Sequence, residues 1–200
     1  MIANDTVLFL TNNDNTMPLL SWLKERCNVI EMREKITLEY VKEINPALVI
    51  SFNYRYIIKK DVISFLGKRI INMHISYLPW NKGSNPNFWS FFDNTPKGVT
   101  IHQLDEGLDT GDILFQRELF LEEDKETFIS SYNKLLEEMI ELFKENWETI
   151  RDMQWEAVSQ KTEGTYHTMK DMDEIQKVCK IDWSDNIGEY LKKYRENAKQ

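Results

Sequence analysis

At 200 residues the chain has the length of one ordinary domain, enough to bury roughly 70% of the surface its unfolded form exposes, and 42% hydrophobic with 29% charged residues exclude a disordered or fibrous protein. Its 25 basic and 33 acidic residues leave a formal charge of −8, which argues against nucleic acid as a partner. With no apolar run of about eighteen residues and no basic leader in MIANDTVLFLTNND, the expectation is a cytoplasmic chain with no membrane partner.

In chain order, short β-branched runs alternate with stretches of helical period, the pattern of βαβ units. Strands are expected at Thr6–Thr11, Asn28–Met32, Ala47–Phe52 and Arg69–His74, with helices at Pro18–Arg26, Thr37–Ile44 and Lys60–Leu66 between them. The fold class that follows is α/β, with a mainly parallel central sheet flanked by helices. From Asn81 to Asp112 the chain concentrates four of its seven glycines and two of its five prolines, a density that marks shaped loops. Within that region Asn85–Asn94 reads as a short aromatic helix and Gly98–Leu104 as a strand, with Ile113–Phe120 a further strand. A long amphipathic helix is expected over Thr127–Met153, its stripe running from Phe128 and Ile129 to Trp147 and Ile150. After about Gly164 the sequence turns polar and reads as a covering flap with a helix at Ile187–Arg195 and a frayed ENAKQ end. The expected organisation is a domain over residues 1–163 and a short C-terminal appendage over 164–200.

In the fourth strand, IINMH, residues i and i+2 share a face, so Asn72 and His74 stand side by side at the carboxyl end, where open α/β sheets bind ligands. A carboxamide can donate to a developing oxyanion while an imidazole moves protons near neutral pH. On spacing alone, the pair reads first as structural, with His74 hydrogen-bonded at a sheet edge. The loop from Asp105 to Asp112 packs four acids and two glycines into eight positions, and a carboxylate from it could orient His74. Asp105 and Glu106 read as turn formers, and Asp109, between the glycines, as functional. A carboxylate and imidazole metal site built from His74, His102, Asp105, Asp109 and Asp112 is the rival, but its spacings match no ligand signature, and Cys27 and Cys179 form no CxxC pair. Neither GxGxxG nor GxxxxGK[ST] occurs, and TNNDNTMP after the first strand holds no glycine. His102 reads as a core or supporting histidine, and Phe88, Trp89, Phe91 and Phe92 as core aromatics with base stacking as the alternative.

The stretch NMHISYLPWNKGSNPNFW, followed by GVTIHQLDEGLDTGDIL, resembles the 10-formyltetrahydrofolate-dependent formyltransferases, most closely those acting on sugar nucleotides. The resemblance is strongest over residues 68–118 and implies a Rossmann-like formyltransferase fold. It also implies a catalytic trio of Asn72, His74 and Asp109 and 10-formyltetrahydrofolate as cosubstrate, with no metal. SFNYRYII is similar to the family's folate segment, so Arg55, Tyr56 and Ile57 are expected to border the pterin, with Asp105, Glu106 and Gly107 on its other side. Lys82 and Asn85 are expected to meet the acceptor, a nucleotide-linked amino sugar; the alternative for Lys82 is a solvated loop lysine. The resemblance further implies O-antigen biosynthesis as a setting and leaves a homodimer open. Other readings are a formyltransferase for another small amine such as glycinamide ribonucleotide, or a folate or nucleotide-sugar binding module without turnover. TNNDNTMP stands where the glycinamide ribonucleotide enzymes have a glycine-containing phosphate loop, and the C-terminal domain of the methionyl-tRNA enzymes, about a hundred residues, has no counterpart within these 200.

Overall fold

The computed structural model describes residues 5–199. These form a six-stranded sheet of order β2-β1-β3-β4-β6-β7. Strands β1 (Val7–Leu10), β2 (Val29–Met32), β3 (Leu48–Phe52) and β4 (Ile70–His74) agree with the sequence expectation to within a residue or two at each end. Four of them are parallel, with Val7 paired to Val29 and to Leu48, and Val49 paired to Ile70. Strand β6 (Lys97–Gln103) runs against β4, since the Leu104 N–H donates to the Ile70 carbonyl while His102 faces Asn72. Strand β7 (Ile113–Leu119) reverses again through the Gln103 N–H to Asp112 carbonyl bond. The sheet is therefore mainly parallel, with helices supplying the crossovers.

Each crossover helix is bounded by residues whose chemistry stops it. Helix α1 (Met17–Lys24) carries Pro18 in its first turn. In α2 (Leu38–Ile44) the Thr37 hydroxyl accepts from the Tyr40 N–H, and Asn45 closes the far end in a left-handed conformation. Helix α3 (Lys60–Leu66) ends at Gly67, φ 56°.

The chain divides into two compact units. The first takes the N-terminal residues through His74, Ile101–Phe115 and Ile140–Ser159. Its core joins Leu8, Leu10, Val49 and Ile70 of the sheet to Val41, Val62 and Leu66 of the helices. The second takes Ile75–Thr100, Gln116–Met139 and the residues from Gln160 on. There α4 (Pro86–Phe92) buries Phe88, Trp89 and Phe91 against Phe128 and against two C-terminal helices, α7 (Met169–Val178) and α8 (Ile187–Asn197). These aromatics are core, Phe92 included: its ring stacks on Phe88 at 5.4 Å.

Several expectations change. The long amphipathic helix is two, α5 (Phe128–Glu145) and α6 (Trp147–Arg151), parted at Asn146, whose carboxamide donates to the Leu142 carbonyl. Ile129, counted in its apolar stripe, is half exposed. The polar flap contains the unexpected helix α7, started by a capping box in which Thr168 and Asp171 exchange hydrogen bonds. A pair of two-residue strands, β5 (Lys82–Gly83) and β8 (Tyr166–His167), also went unanticipated. Helix α8 continues through Asn197, beyond the expected Arg195 and into the end expected to fray; Gln200 lies outside the described residues.

Candidate active site

Strand β4 ends with Asn72 and His74 on one face, and the loop after β6 returns Asp109 to them. Asp109 Oδ2 lies 3.7 Å from His74 Nδ1, within ion-pair range and longer than a hydrogen bond. Its other oxygen, Oδ1, accepts from Asn72 Nδ2 at 3.4 Å and lies 3.5 Å from His102 Nε2. The three side chains, separated by up to 37 residues, thus converge within the first unit. His74 is 8% exposed, so its charge states are felt by neighbours through little water.

The carboxylate is placed by its loop. Asp109 adopts φ 54°, in the left-handed region where aspartate is tolerated better than most residues. Gly111 passes so close to the Gln103 carbonyl that an added Cβ would sit 1.8 Å from that oxygen. Asp105 accepts from the Gly107 N–H at 3.0 Å and from the Thr110 hydroxyl at 2.7 Å, holding the loop's turn. Glu106 pairs with Lys60 at 2.7 Å, which brings this loop against the start of α3, just past the 55–57 segment. In that segment the Arg55 N–H donates to Asn12 Oδ1 at 3.0 Å, its guanidinium lies 4.8 Å over the Tyr56 ring, and Ile57 is 83% exposed.

The sites expected for the acceptor lie in the second unit. Lys82 is not a solvated loop lysine: it is 9% exposed, paired with Tyr166 in the small sheet, and its ammonium donates to the Glu163 carbonyl at 3.1 Å. Asn85 precedes α4 with φ 51° and directs its carboxamide to Met169 Sδ at 3.5 Å. His102, read from sequence as a supporting histidine, makes direct contact with Asn72 at 3.1 Å. Asp105 is tied into its own turn, and among the described residues no group of three or more His, Cys, Asp or Glu is arranged to hold a metal ion.

A carboxamide, an imidazole and a carboxylate meet at the end of a parallel strand, the place where open α/β sheets bind ligands. The formyl transferase family profile matches residues 8–145. A dTDP-4-amino-4,6-dideoxyglucose formyltransferase of Mycobacterium tuberculosis is 32% identical over 170 residues, spanning 85% of this chain and 68% of its own. A methionyl-tRNA formyltransferase of Agathobacter rectalis is 31% identical over 156 residues, 78% of this chain and 49% of its own. Among solved structures, the formyltransferase PseJ from Anoxybacillus kamchatkensis, in complex with UDP-4,6-dideoxy-4-formamido-L-AltNAc and tetrahydrofolate, is similar with a TM-score of 0.84 and 35% identity, covering 94% of this chain and 99% of that one. The chain belongs to the formyl transferase family and is an enzyme of formyl transfer.

Proposed function

We propose that the protein transfers the formyl group of 10-formyltetrahydrofolate to the amino group of a nucleotide-linked amino sugar, with residues 1–163 as its catalytic domain and 164–200 as an appendage. The observation that carries this is the convergence of Asn72, His74 and Asp109 at the end of β4. The choice of acceptor is supported by the near-complete coverage of a structure bound to a UDP-linked formamido sugar and tetrahydrofolate. The alternative acceptor glycinamide ribonucleotide is disfavoured by the loop after β1, which satisfies its own groups: Asn13 caps the Asn15 N–H at 2.9 Å and the Thr11 and Thr16 hydroxyls meet at 2.9 Å. A phosphate there would have to displace these bonds.

In the reaction the acceptor nitrogen forms a bond to the formyl carbon, and the bond from that carbon to the folate nitrogen breaks. The acceptor nitrogen gives up a proton and the folate nitrogen gains one. His74 supports the charge developing on the formyl oxygen and moves the proton. Asn72 donates to the same oxygen, and Asp109 positions His74. Arg55, Tyr56 and Ile57 border the pterin on one side and the Asp105–Gly107 turn on the other, while Lys82 and Asn85 serve the acceptor. Half-buried Cys27 and buried Cys179, both free thiols, suit a cytoplasmic setting, and O-antigen precursor synthesis is the use this reading gives the product.

Mass spectrometry decides between the acceptors. A panel of amino-sugar nucleotides, glycinamide ribonucleotide and methionyl-tRNA is incubated with enzyme and 10-formyltetrahydrofolate, and the gain of one formyl group is scored. Formylation of one or more sugar nucleotides and of neither other substrate is expected. Formylation confined to either of the others would overturn the acceptor assignment, and binding of folate and sugar nucleotide without product would make the protein a binding module.

A further inference from the structure

We propose that His102 is a positioning residue for formyl transfer: it holds one amide hydrogen of Asn72 so that the other is aimed at the carboxylate side of the site. The proposal rests on the reading of Asn72 as an oxyanion donor. It follows from a chain of hydrogen bonds whose first direction is fixed by a carbonyl oxygen. His102 is buried on β6, with Nδ1 2.9 Å from the Gln103 carbonyl oxygen. A carbonyl has no hydrogen to give, so Nδ1 carries the proton. In the neutral ring Nε2 is then an acceptor, and it lies 3.1 Å from Asn72 Nδ2. The second hydrogen on Asn72 Nδ2 faces Asp109 Oδ1 at 3.4 Å.

Turning the carboxamide end for end would set its oxygen against an imidazole lone pair and a carboxylate oxygen, two repulsive contacts in a site with little water. The amide is thereby held one way round. The two bonds are unequal, and the longer, to Asp109, is the one that yields as negative charge grows on the formyl oxygen. The shorter one stays and keeps the donor aimed. A hydrophobic residue at 102 would take away the shorter of these two bonds, and oxyanion stabilisation would then cost reorganisation at the moment of reaction.

The first test is the tautomer itself. Protein labelled with ¹⁵N in its histidine rings is examined at neutral pH by long-range proton–nitrogen correlation, with His102 assigned from the signals lost in His102→Gln. A protonated Nδ1 and a bare Nε2 are expected, and an Nε2–H tautomer or an imidazolium at His102 would overturn the proposal. The second test is kinetic. His102→Leu removes the acceptor, whereas the side-chain oxygen of His102→Gln reaches the place of Nε2. The leucine variant should lose about 10- to 100-fold in kcat, by analogy with the partners that orient ligating side chains in metal sites, with KM for both substrates unchanged. The glutamine variant should recover most of that loss. Full kcat in the leucine variant beside a crippled Asn72→Ala enzyme, or a glutamine variant no better than leucine, would refute the positioning role alone. Full kcat in Asn72→Ala would instead remove the oxyanion reading, and the proposal with it. Should the leucine variant fail to fold, the tautomer measurement still decides.

Discussion

Asp109 combines two demands in one residue, a charge beside His74 and a backbone at φ 54°. Asparagine meets the second demand without the first, since it also tolerates the left-handed region. Asp109→Asn is therefore expected to fold with an unchanged circular dichroism spectrum and a nearly unchanged melting temperature, while single-turnover formyl transfer falls by about 100-fold or more. A rate near wild type would remove Asp109 from the mechanism. Removing Asn72 should cost roughly 100- to 1000-fold in turnover, as for other single oxyanion donors, and removing His74 roughly 100- to 10,000-fold, measured in steady state with folding checked separately. Gly111 makes a different kind of test. A Cβ there meets the Gln103 backbone oxygen at 1.8 Å, so the chain itself has to move. Gly111→Ala should destabilise the protein by about 1–3 kcal/mol in urea denaturation and lower turnover as well, because Asp109 lies two residues away.

At the level of elements, the sequence was most readable where a segment answers to local rules. Strands β1 and β3 are buried along their whole length, and Thr37, Asn45 and Gly67 mark helix ends by their own chemistry. The break at Asn146 was hidden because the demand for apolar residues continues across it: the Trp22 ring packs edge-on against both Phe143, at 6.4 Å, and Trp147, at 5.9 Å. Strands β5 and β8 pair residues more than eighty positions apart and carry no local signal. The same limit applies to the site. Asn72 and His74 were legible from a strand's alternation and Asp109 from its glycine-flanked loop, but the contact between Asn72 and His102 depends on the register of β6 against β4. Helix α7 did leave a trace, Thr168 three residues before Asp171, in a segment otherwise too charged to read as helical. The Asp171 carboxyl is held below the ordinary aspartate range, first by the Thr168 N–H and then by its hydroxyl. A lowered folded value stabilises the helix above the unfolded pKa and ceases to do so as pH falls through the folded one. Asp171→Ala should therefore melt below wild type at neutral pH, and the gap should close in acid below about pH 4; a gap that persists or widens there would assign the effect to something other than the cap.

For the molecule as a whole, the C-terminal residues belong to the second core. Met172, Ile175, Cys179, Ile187, Tyr190 and Leu191 are buried together with Phe88, Trp89, Phe91 and Phe128. A buried Leu, Ile or Met side chain contributes about 1.5–3 kcal/mol, so losing six side chains from this core removes as much as the roughly 5–15 kcal/mol that stabilises a whole domain. A chain ending at residue 163 is expected to be insoluble or to melt without a cooperative transition in calorimetry; a soluble, cooperatively folding truncation would show that the appendage is dispensable to the fold. The loop that carries Asp109 is held in the opposite way. It is fastened at both ends, by the Leu104 N–H on the Ile70 carbonyl and by Gly111 against Gln103, while Glu106 and Leu108 stand exposed between those fastenings. Substitutions at the outward positions of that span are thus expected to leave its backbone, and with it the Asp109 carboxylate, standing where it was.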